Sequence, residues 1–507
     1  MTLTAANTMV LTLTPPATAN RGAIRLAIGA ALALATAGCA VGPDYRRPAV
    51  PVPAAYKENA DWAAAAPGDG APRGRWWEAF GDPDLNALEA RLDAANLTIA
   101  QAAANYEQAR QLARSERTGY LPTLGILGSA QRSKGPSFAG QAGPAGASTS
   151  YLAELQGSWE PDFWGRLRRT VESDVTAAQA SAADLASARL STQGALAQAY
   201  IQLRAADDQT QLLEDAVEAY KRTVRITQNK YLVGVSARSD VITAQTQLDS
   251  TKAQLIGVGV QRAQYEHAIA VLLGRAPADF SVARRRAVSI AIPQVPPQLP
   301  SRLLERRPDV AAAERNAASA NARIGIQASA YFPSFSLSAT GGYQGSPLDR
   351  LITAPFQFWT LGAQAAETLL DWGQRSDLVK SARAAYDAAA AGYRQTALAA
   401  FQQVEDNLAE IRILAEEAAV EQQAVAEAAQ ATQISLNEYN AGTVDFTTVA
   451  AAQVTELNNR ETALAINTSR LLSSVALIEA LGGGWAAADL PSAGQVVARR
   501  PSAAAGN

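Results

Sequence analysis

Two stretches of the chain, YLVGVSARSDVITAQ at residues 231–245 and YNAGTVDFTTVAAAQ at residues 439–453, repeat Tyr, Gly, Val and Gln at an offset of 208 residues. The same offset relates two further dipeptides to later copies, Leu273-Gly274 to Leu481-Gly482 and Trp164-Gly165 to Trp372-Gly373. Chance similarity does not keep one register over several separated landmarks. We therefore interpret the 507-residue chain as a tandem duplication.

Both copies predict the same order of elements, which is one helix, two strands and two long helices separated by a tight turn. The segments of repeat 1 (84–274) are a helix at 84–119, strands at about 121–132 and 150–160, and long helices at about 166–232 and 237–273. Those of repeat 2 (308–484) are a helix at 308–330, strands at about 333–344 and 357–369, and long helices at about 374–440 and 446–481. The other segments are a signal peptide (1–38), an extended segment (39–83), a Pro-rich linker (275–307) and an Ala-, Ser- and Gly-rich tail (485–507) that we expect to be disordered.

The first long helix of repeat 2 carries a heptad seam from Val404 to Tyr439, in which mostly apolar residues recur in alternating steps of four and three, with only Gln422 and Thr432 off-type. The first long helix of repeat 1, at 166–232, would be about 100 Å long at the usual rise per residue. Ordinary globular domains do not contain helices of this length. The pattern predicts antiparallel coiled-coil hairpins that turn at Gly234 and Gly442.

The predicted strands alternate apolar and polar residues with a period of two. In SFSLSATGGY, for example, Phe335 and Leu337 face opposite to the Ser residues between them. A half-buried sheet in a soluble protein alternates in the same way, but runs of about ten residues with terminal aromatics are typical of transmembrane β-strands. Four strands cannot close a barrel, and an unpaired edge in lipid is costly, so a membrane-spanning sheet would have to be shared between protomers.

The only cysteine of the chain, Cys39, follows the apolar run LAIGAALALATAG directly. Arg21 and Arg25 precede this run, which is shorter than the about 20 residues that a permanent membrane helix needs. The small residues before the cysteine predict a lipoprotein signal, after whose cleavage Cys39 carries N-acyl and S-diacylglycerol groups. The alternative is a buried free thiol after an ordinary signal peptide, and either Met1 or Met9 fits the start of the chain.

Composition argues against several function classes. The formal net charge is −3, and no Lys/Arg cluster is flanked by stacking aromatic residues, so nucleic acid is not an expected partner. The sequence contains one histidine, His267, and shows neither a Gly-rich phosphate loop nor paired metal ligands. We expect no catalytic site, no metal and no cofactor apart from the covalent lipid on Cys39.

Several motifs together resemble the outer membrane factor family of TolC-like exit ducts, in particular its lipid-anchored OprM/NodT-type branch. The motifs are Cys39-Ala-Val-Gly-Pro-Asp-Tyr-Arg-Arg-Pro48, Trp76-Trp77, Phe80-Gly-Asp-Pro-Asp-Leu85, Trp159-Glu-Pro-Asp-Phe-Trp-Gly-Arg-Leu-Arg168, Arg306-Arg-Pro-Asp309, Tyr331-Phe-Pro-Ser334 and Ala480-Leu-Gly-Gly-Gly-Trp485. They extend from about residue 39 to about residue 486, and their joint occurrence is highly specific.

The resemblance implies an α+β membrane protein that forms a homotrimer. Each protomer would give four strands to a twelve-stranded outer-membrane β-barrel and its long helices to a periplasmic α-helical barrel, with the segments 39–83 and 275–307 in an equatorial region. It implies the outer membrane of a Gram-negative bacterium, and outer-membrane lipid, a periplasmic adaptor (membrane fusion) protein and an inner-membrane RND-type transporter as partners. The implied function is the passive exit duct of a tripartite efflux pump for drugs or other small toxic compounds. A duct for protein or oligosaccharide secretion and a non-channel coiled-coil scaffold lipoprotein are the alternatives.

By the same resemblance, the hairpin turns lie at periplasmic tips that contact the adaptor and close the duct. The predicted tip residues are Gly234, Val235, Ser236, Gly442, Thr443 and Val444. Plain helix–helix turns are the alternative, because a left-handed glycine explains the residue type in either case. Relatives carry an Asp and an Arg beside the Gln of the second tip helix, and this chain has Ala451 and Val454 at those positions. Asp240, Asp445 or ordinary packing are therefore further candidates for the constriction.

Overall fold

The computed structural model describes residues 40–59, 74–134, 147–285, 290–293 and 304–498. Its main elements, in chain order, are α1 (Pro83–Ala95), α2 (Leu97–Thr118), β1 (Thr123–Ser133), β2 (Ser148–Trp159), α3 (Arg166–Leu232), α4 (Arg238–Leu272), α5 (Pro308–Ser329), β3 (Ser334–Gly345), β4 (Gln357–Ala366), α6 (Gln374–Ala441), α7 (Phe446–Ala480) and α8 (Ala493–Val497). Cys39, the predicted signal peptide and both candidate start residues lie outside the described residues.

The four strands form one antiparallel sheet in the order β1-β2-β3-β4. The helical hairpin of α3 and α4, followed by α5, separates β2 from β3 along the chain, and β2 and β3 nevertheless pair directly. Strands β1 and β4 each have one neighbour among the described residues, so both edges of the sheet are open within this chain.

The two helical hairpins have nearly equal dimensions. Helix α3 has 67 residues and α6 has 68, whereas α4 and α7 have 35 residues each. Helix α3 packs against α4, and α6 packs against α7. Near the turns, residues of both hairpins share one apolar cluster that includes Leu213, Tyr220, Tyr439, Phe446 and Val449. Because this cluster is common to both, the ends of the two hairpins are held side by side.

A second apolar cluster lies beside the middle of α3, where α4 and α7 end. It joins Trp77 and Phe80, which precede α1, to Tyr200 of α3, Ile269 of α4 and Val475 of α7. Burial of such large side chains is worth about 1.5–3 kcal/mol each, so this cluster fixes the short α1 against both hairpins.

The prediction of a single helix at 84–119 is wrong, because the structure breaks it at Asn96. This residue has an extended backbone (φ −74°, ψ 125°), and its side-chain oxygen caps α2 by accepting from the Ile99 N–H at 3.0 Å. Its side-chain amide donates to the Leu272 carbonyl oxygen at 2.8 Å. Asn96 therefore ends one helix, starts the next and ties both to the end of α4.

The prediction of a disordered tail is wrong for residues 485–498. Val496 of α8 is fully buried in a small cluster with residues of α2 and α3. The Arg110 guanidinium donates to the carbonyl oxygens of Val496 and Ala498 at 3.2 and 3.1 Å, and Gln179 donates to that of Pro491 at 2.9 Å. The composition of the tail does not reveal this docking, because the contacts come from one buried valine and from the side chains of Arg110 and Gln179 on distant helices.

The extended segment at residues 40–56 runs over the helices without regular structure of its own. Arg169 of α3 pairs with Asp44 at 2.9 Å, and the Arg47 guanidinium donates to the Tyr393 hydroxyl at 2.8 Å. The segment therefore links the two halves of the chain.

A buried ionic cluster fastens the first part of the inter-repeat linker to α3 and α4. Asp207, which is fully buried, accepts from Arg204 at 2.9 Å and from Arg262 at 2.7 Å. The two guanidinium groups also donate to the carbonyl oxygens of Ala283 and Val282. Because buried charges are tolerated only when they are paired and hydrogen-bonded, this cluster specifies where the linker docks.

Candidate functional site

The turn of the first hairpin is built on a left-handed glycine. Gly234 has φ +76°, and no atom lies within 4 Å of the place that a Cβ would take, so the backbone angle alone favours glycine. The N–H groups of Val235 and Ser236 donate to the carbonyl oxygen of Lys230 and close the end of α3. Val235 is 69% exposed, and Leu232 is 79% exposed, so this tip presents apolar side chains to the outside.

The turn of the second hairpin follows the same plan with more polar residues. Gly442 has φ +82°, and the space that a Cβ would occupy is again open. Thr443 donates to the Glu438 carbonyl oxygen twice, from its N–H and from its hydroxyl, each at 3.0 Å. Val444 is half-buried and packs against the apolar cluster below the turns. The second tip therefore offers less exposed apolar surface than the first.

The two tips are joined by a set of polar contacts, which we call the tip latch: Lys230, Ser236 and Asp240 of the first hairpin and Tyr439 of the second. The Lys230 ammonium lies 4.0 Å from the centre of the Tyr439 ring and donates to the Tyr439 carbonyl oxygen. The Ser236 hydroxyl is 3.2 Å from the Tyr439 hydroxyl and 2.7 Å from the Asp240 carboxylate. One aromatic residue of the second hairpin thus receives three contacts from two residues of the first, Lys230 and Ser236, and Asp240 holds the Ser236 hydroxyl.

The four predicted constriction residues have different surroundings. Asp240 belongs to the tip latch, whereas Asp445 is exposed and its side chain does not cap α7. Ala451 and Val454 are exposed, one turn apart on one face of α7. The roles of all four residues in closing a duct stay predictions.

Sequence reasoning did not assign a role to Lys230 or to the Tyr439 ring. The available signal was a difference between the repeats, because the offset of 208 residues places Lys230 opposite Glu438. A basic residue in the last turn of a helix is favourably placed to bind carbonyl oxygens at a neighbouring helix end.

The sheet has one apolar face and one polar face. Cross-strand partners lie on the same face, and the register aligns Ile126, Leu155, Gly341 and Trp359 in one row across all four strands. The adjacent row on the opposite face is Gly125, Gln156, Thr340 and Thr360. Ile126 is 84% exposed and Trp359 is 73% exposed, so the apolar face is uncovered in the isolated chain.

Aromatic residues and glycines mark both junctions between strand and long helix. The Trp164 indole donates to the Pro333 carbonyl oxygen at 2.7 Å and stacks on Phe332, and Gly165 has φ +77°. At the second junction Trp372 is 90% exposed and itself has φ +55°. The two tight bends turn the sheet directly into the long helices.

Among the described residues, no helix combines the length and hydropathy that crossing a bilayer requires. The same part of the chain contains no group of three or more His, Cys, Asp or Glu side chains placed to hold a metal ion.

A sheet with an uncovered apolar face, continued by two long helical hairpins, is the architecture of outer-membrane channels. The model of the family described as outer membrane efflux protein matches residues 88–275 and 299–483. These segments make up more than half of the chain, which therefore belongs to this family and is a protein of the outer membrane that extends into the periplasm.

Similar proteins agree with this assignment. The toluene efflux pump outer membrane protein TtgC of Pseudomonas putida is 28% identical over 451 residues, covering 88% of this chain and 93% of its own. The pyoverdine export outer membrane protein OpmQ of Pseudomonas aeruginosa is 28% identical over 429 residues, covering 84% and 90%. The outer-membrane channel OprN superposes with a TM-score of 0.81 at 29% identity, covering 88% of this chain and 100% of its own. The open-state outer-membrane channel MtrE of Neisseria gonorrhoeae superposes with a TM-score of 0.78 at 25% identity, covering 89% of this chain and 99% of its own.

Proposed function

We propose that the chain is one protomer of a homotrimeric exit duct in a tripartite efflux pump. Each copy would give four strands to a twelve-stranded barrel in the outer membrane and two hairpins to a tunnel in the periplasm. The observation that supports this most directly is the four-stranded sheet with one apolar face and two open edges. In lipid each unpaired backbone group costs several kcal/mol, so the edges β1 and β4 need partners from other copies.

The equal lengths of the two hairpins support a closed tunnel. Helices of 67 and 68 residues are both about 100 Å long, so six such hairpins from three copies would form a wall of uniform length. The repeated sequence pattern explains this equality if the gene encodes a tandem duplication. The polar face of the sheet, opposite its apolar face, would then line the aqueous exit.

The hairpin tips would contact a periplasmic adaptor protein, which connects the duct to an inner-membrane RND-type transporter. The exposed apolar side chains of the first tip, including Leu232, Val233 and Val235, provide a surface for such a partner. Transport through the duct would be passive, and the compounds would be drugs or other small toxic molecules, in line with the names of the related pump proteins.

Cys39 would anchor the mature N-terminus through its lipid. Asp44 and Arg47, which follow closely, are bound to helices of both halves, so the lipid would extend from a segment that is already fixed to the protein. Mass spectrometry of the purified N-terminal peptide tests this, since an unmodified Cys39 would exclude the anchor.

Conductance tests the duct. Purified protein is reconstituted in planar bilayers, with and without the adaptor, and its subunit number is measured by native mass spectrometry. We expect a trimer of the lipidated chain and discrete conductance steps. A monomer or dimer would refute a twelve-stranded barrel built from four strands per copy. The absence of conductance even with the adaptor would identify a scaffold. In cells, deletion should raise sensitivity to small toxic compounds, whereas loss of a secreted protein or oligosaccharide alone would identify a secretion duct.

A further inference from the structure

A cavity of about 470 Å³ lies between α1, α3 and the glycine turn that follows α7. It is distant in the fold from the strands and from the hairpin turns, so neither the sheet nor the tip latch accounts for it. Its volume is within the range of about 300–1,000 Å³ that is usual for small-molecule sites.

The cavity is lined by a buried carboxyl group without a partner. Glu89 of α1 is 2% exposed, and neither of its carboxyl oxygens accepts a hydrogen bond from any described residue. The side-chain oxygen of Asn86, one turn earlier and also lining the cavity, is equally unpaired among the described residues. Three oxygen atoms without hydrogen-bond partners among the described residues therefore belong to the wall of one space, and a ligand that binds to the ionised Glu89 and to Asn86 must bring N–H or O–H groups.

The charged neighbours of Glu89 do not neutralise it. Arg189 of α3 is paired with Asp93 at 3.1 Å, and Arg75 before α1 is paired with Glu78 at 3.4 Å. No salt bridge joins Glu89 to either arginine within the described chain.

Burial raises the pKa of Glu89 to about 9, and the carboxylates of Asp93 and of Glu479 on α7 add to the rise. Burial also raises the pKa of Glu479 itself, to about 7. The free carboxyl group of Glu89 is therefore mostly neutral at pH 7, and a cation that binds to its carboxylate must displace its proton.

Aromatic and backbone surfaces form the rest of the wall. Trp77 and Trp485 both line the cavity, and aromatic faces attract organic cations. Gly483 has φ +59°, which strains any other residue, and a Cβ at this position would lie 2.2 Å from a methyl group of Leu190, so a larger residue would have to displace that side chain. The three unpaired oxygen atoms are too few to bind a bare calcium ion, which takes six or more oxygen ligands.

We propose that this cavity binds a small organic ammonium ion, whose N–H groups donate to Glu89 and Asn86 and whose apolar part contacts Trp77 and Trp485. The inference does not depend on the proposed transport function, because the site is built entirely within one chain.

Binding is coupled to a proton on Glu89. The free carboxyl group is mostly protonated at pH 7, and the bound form is the carboxylate, so binding releases one proton. An alkylammonium ion keeps its own proton in this range, since its pKa is close to that of lysine. Affinity should therefore increase about tenfold per pH unit from pH 6.5 to 8.5 and level off near the pKa of Glu89.

The test uses butylammonium as the probe and butan-1-ol as its neutral isostere. Binding to the purified full-length protein in detergent is followed by saturation-transfer NMR and by the thermal shift at three pH values. The informative variant is Glu89→Gln, which keeps the size of the side chain and removes its charge. The matched control is Glu78→Gln, because Glu78 borders the same cavity but is exposed and already paired.

We expect wild-type protein and Glu78→Gln to bind butylammonium alike, and Glu89→Gln to bind about tenfold or more weakly, without the pH slope and with an unchanged or higher melting temperature. Equal binding of butan-1-ol, unaltered binding by Glu89→Gln, or an equal loss in Glu78→Gln would overturn the proposal. If Glu89→Gln fails to fold, the wild-type pH slope decides, because a flat profile excludes Glu89 as the counter-ion.

Discussion

Removal of the Lys230 ammonium should open the periplasmic entrance of the duct. This group donates to the Tyr439 carbonyl oxygen, lies 3.4 Å from that of Asn440 and stands over the Tyr439 ring. A partly exposed charged hydrogen bond of this kind is worth about 1 kcal/mol, and an exposed cation–π contact about 0.5–1 kcal/mol. The two together give about 1.5–2 kcal/mol per protomer in favour of the joined hairpins.

Lys230→Met keeps the length of the side chain and removes both contacts. If opening separates the two hairpins in each protomer, the open state gains about tenfold per subunit and about a thousandfold when three subunits open together. Tyr439→Phe should have a smaller effect, because it removes only the hydroxyl that faces Ser236 and leaves the ring and the carbonyl oxygen.

Single-channel recording in planar bilayers measures the open fraction directly. Lys221→Met is the matched control, because Lys221 lies on the same helix and its ammonium pairs with Glu218 of that helix. An unchanged open fraction in Lys230→Met would refute the tip latch as a closing element. An equal increase in Lys221→Met would show that loss of positive charge, rather than loss of the latch, is responsible.

Three further outcomes follow from burial and position. Asp207→Asn removes the buried carboxylate that Arg204 and Arg262 share and leaves these arginines only their pairs with Asp84 and Glu266, so the unfolding free energy should fall by about 1–3 kcal/mol in a denaturant titration, and an unchanged midpoint would contradict the role of the cluster. Val496→Asp should release the tail to limited proteolysis, whereas the exposed Ala493→Asp at the first position of α8 should not. Cys39→Ala, with a working signal peptide, should still form conducting trimers, and its failure to trimerise would show that the lipid is needed for assembly.

The periodic elements follow from the sequence because their signals are local. A heptad seam and an alternating strand each repeat within a few residues, so the hairpins and the faces of the sheet can be recognised without knowledge of their neighbours. The turns at Gly234 and Gly442 are equally local, since a left-handed backbone angle selects glycine wherever the chain reverses. The register of β2 on β3 is different, because 174 residues separate the two strands and only their pairing shows that the apolar faces coincide.

The candidate site likewise depends partly on local sequence signals and partly on contacts between distant segments. The sequence alone determined which turns form the tips, but Lys230 and Tyr439 are 209 positions apart, and only the packing of one hairpin on the other brings them together. The docked tail and the cavity at Glu89 likewise join residues from the two ends of the chain. The sequence alone predicts that the tail is unstructured and that Glu89 is an ordinary polar residue of a helix. Burial and the absence of a hydrogen-bond partner within the described chain, which decide what these groups do, are properties of the tertiary structure, because they depend on distant segments that periodicity cannot place.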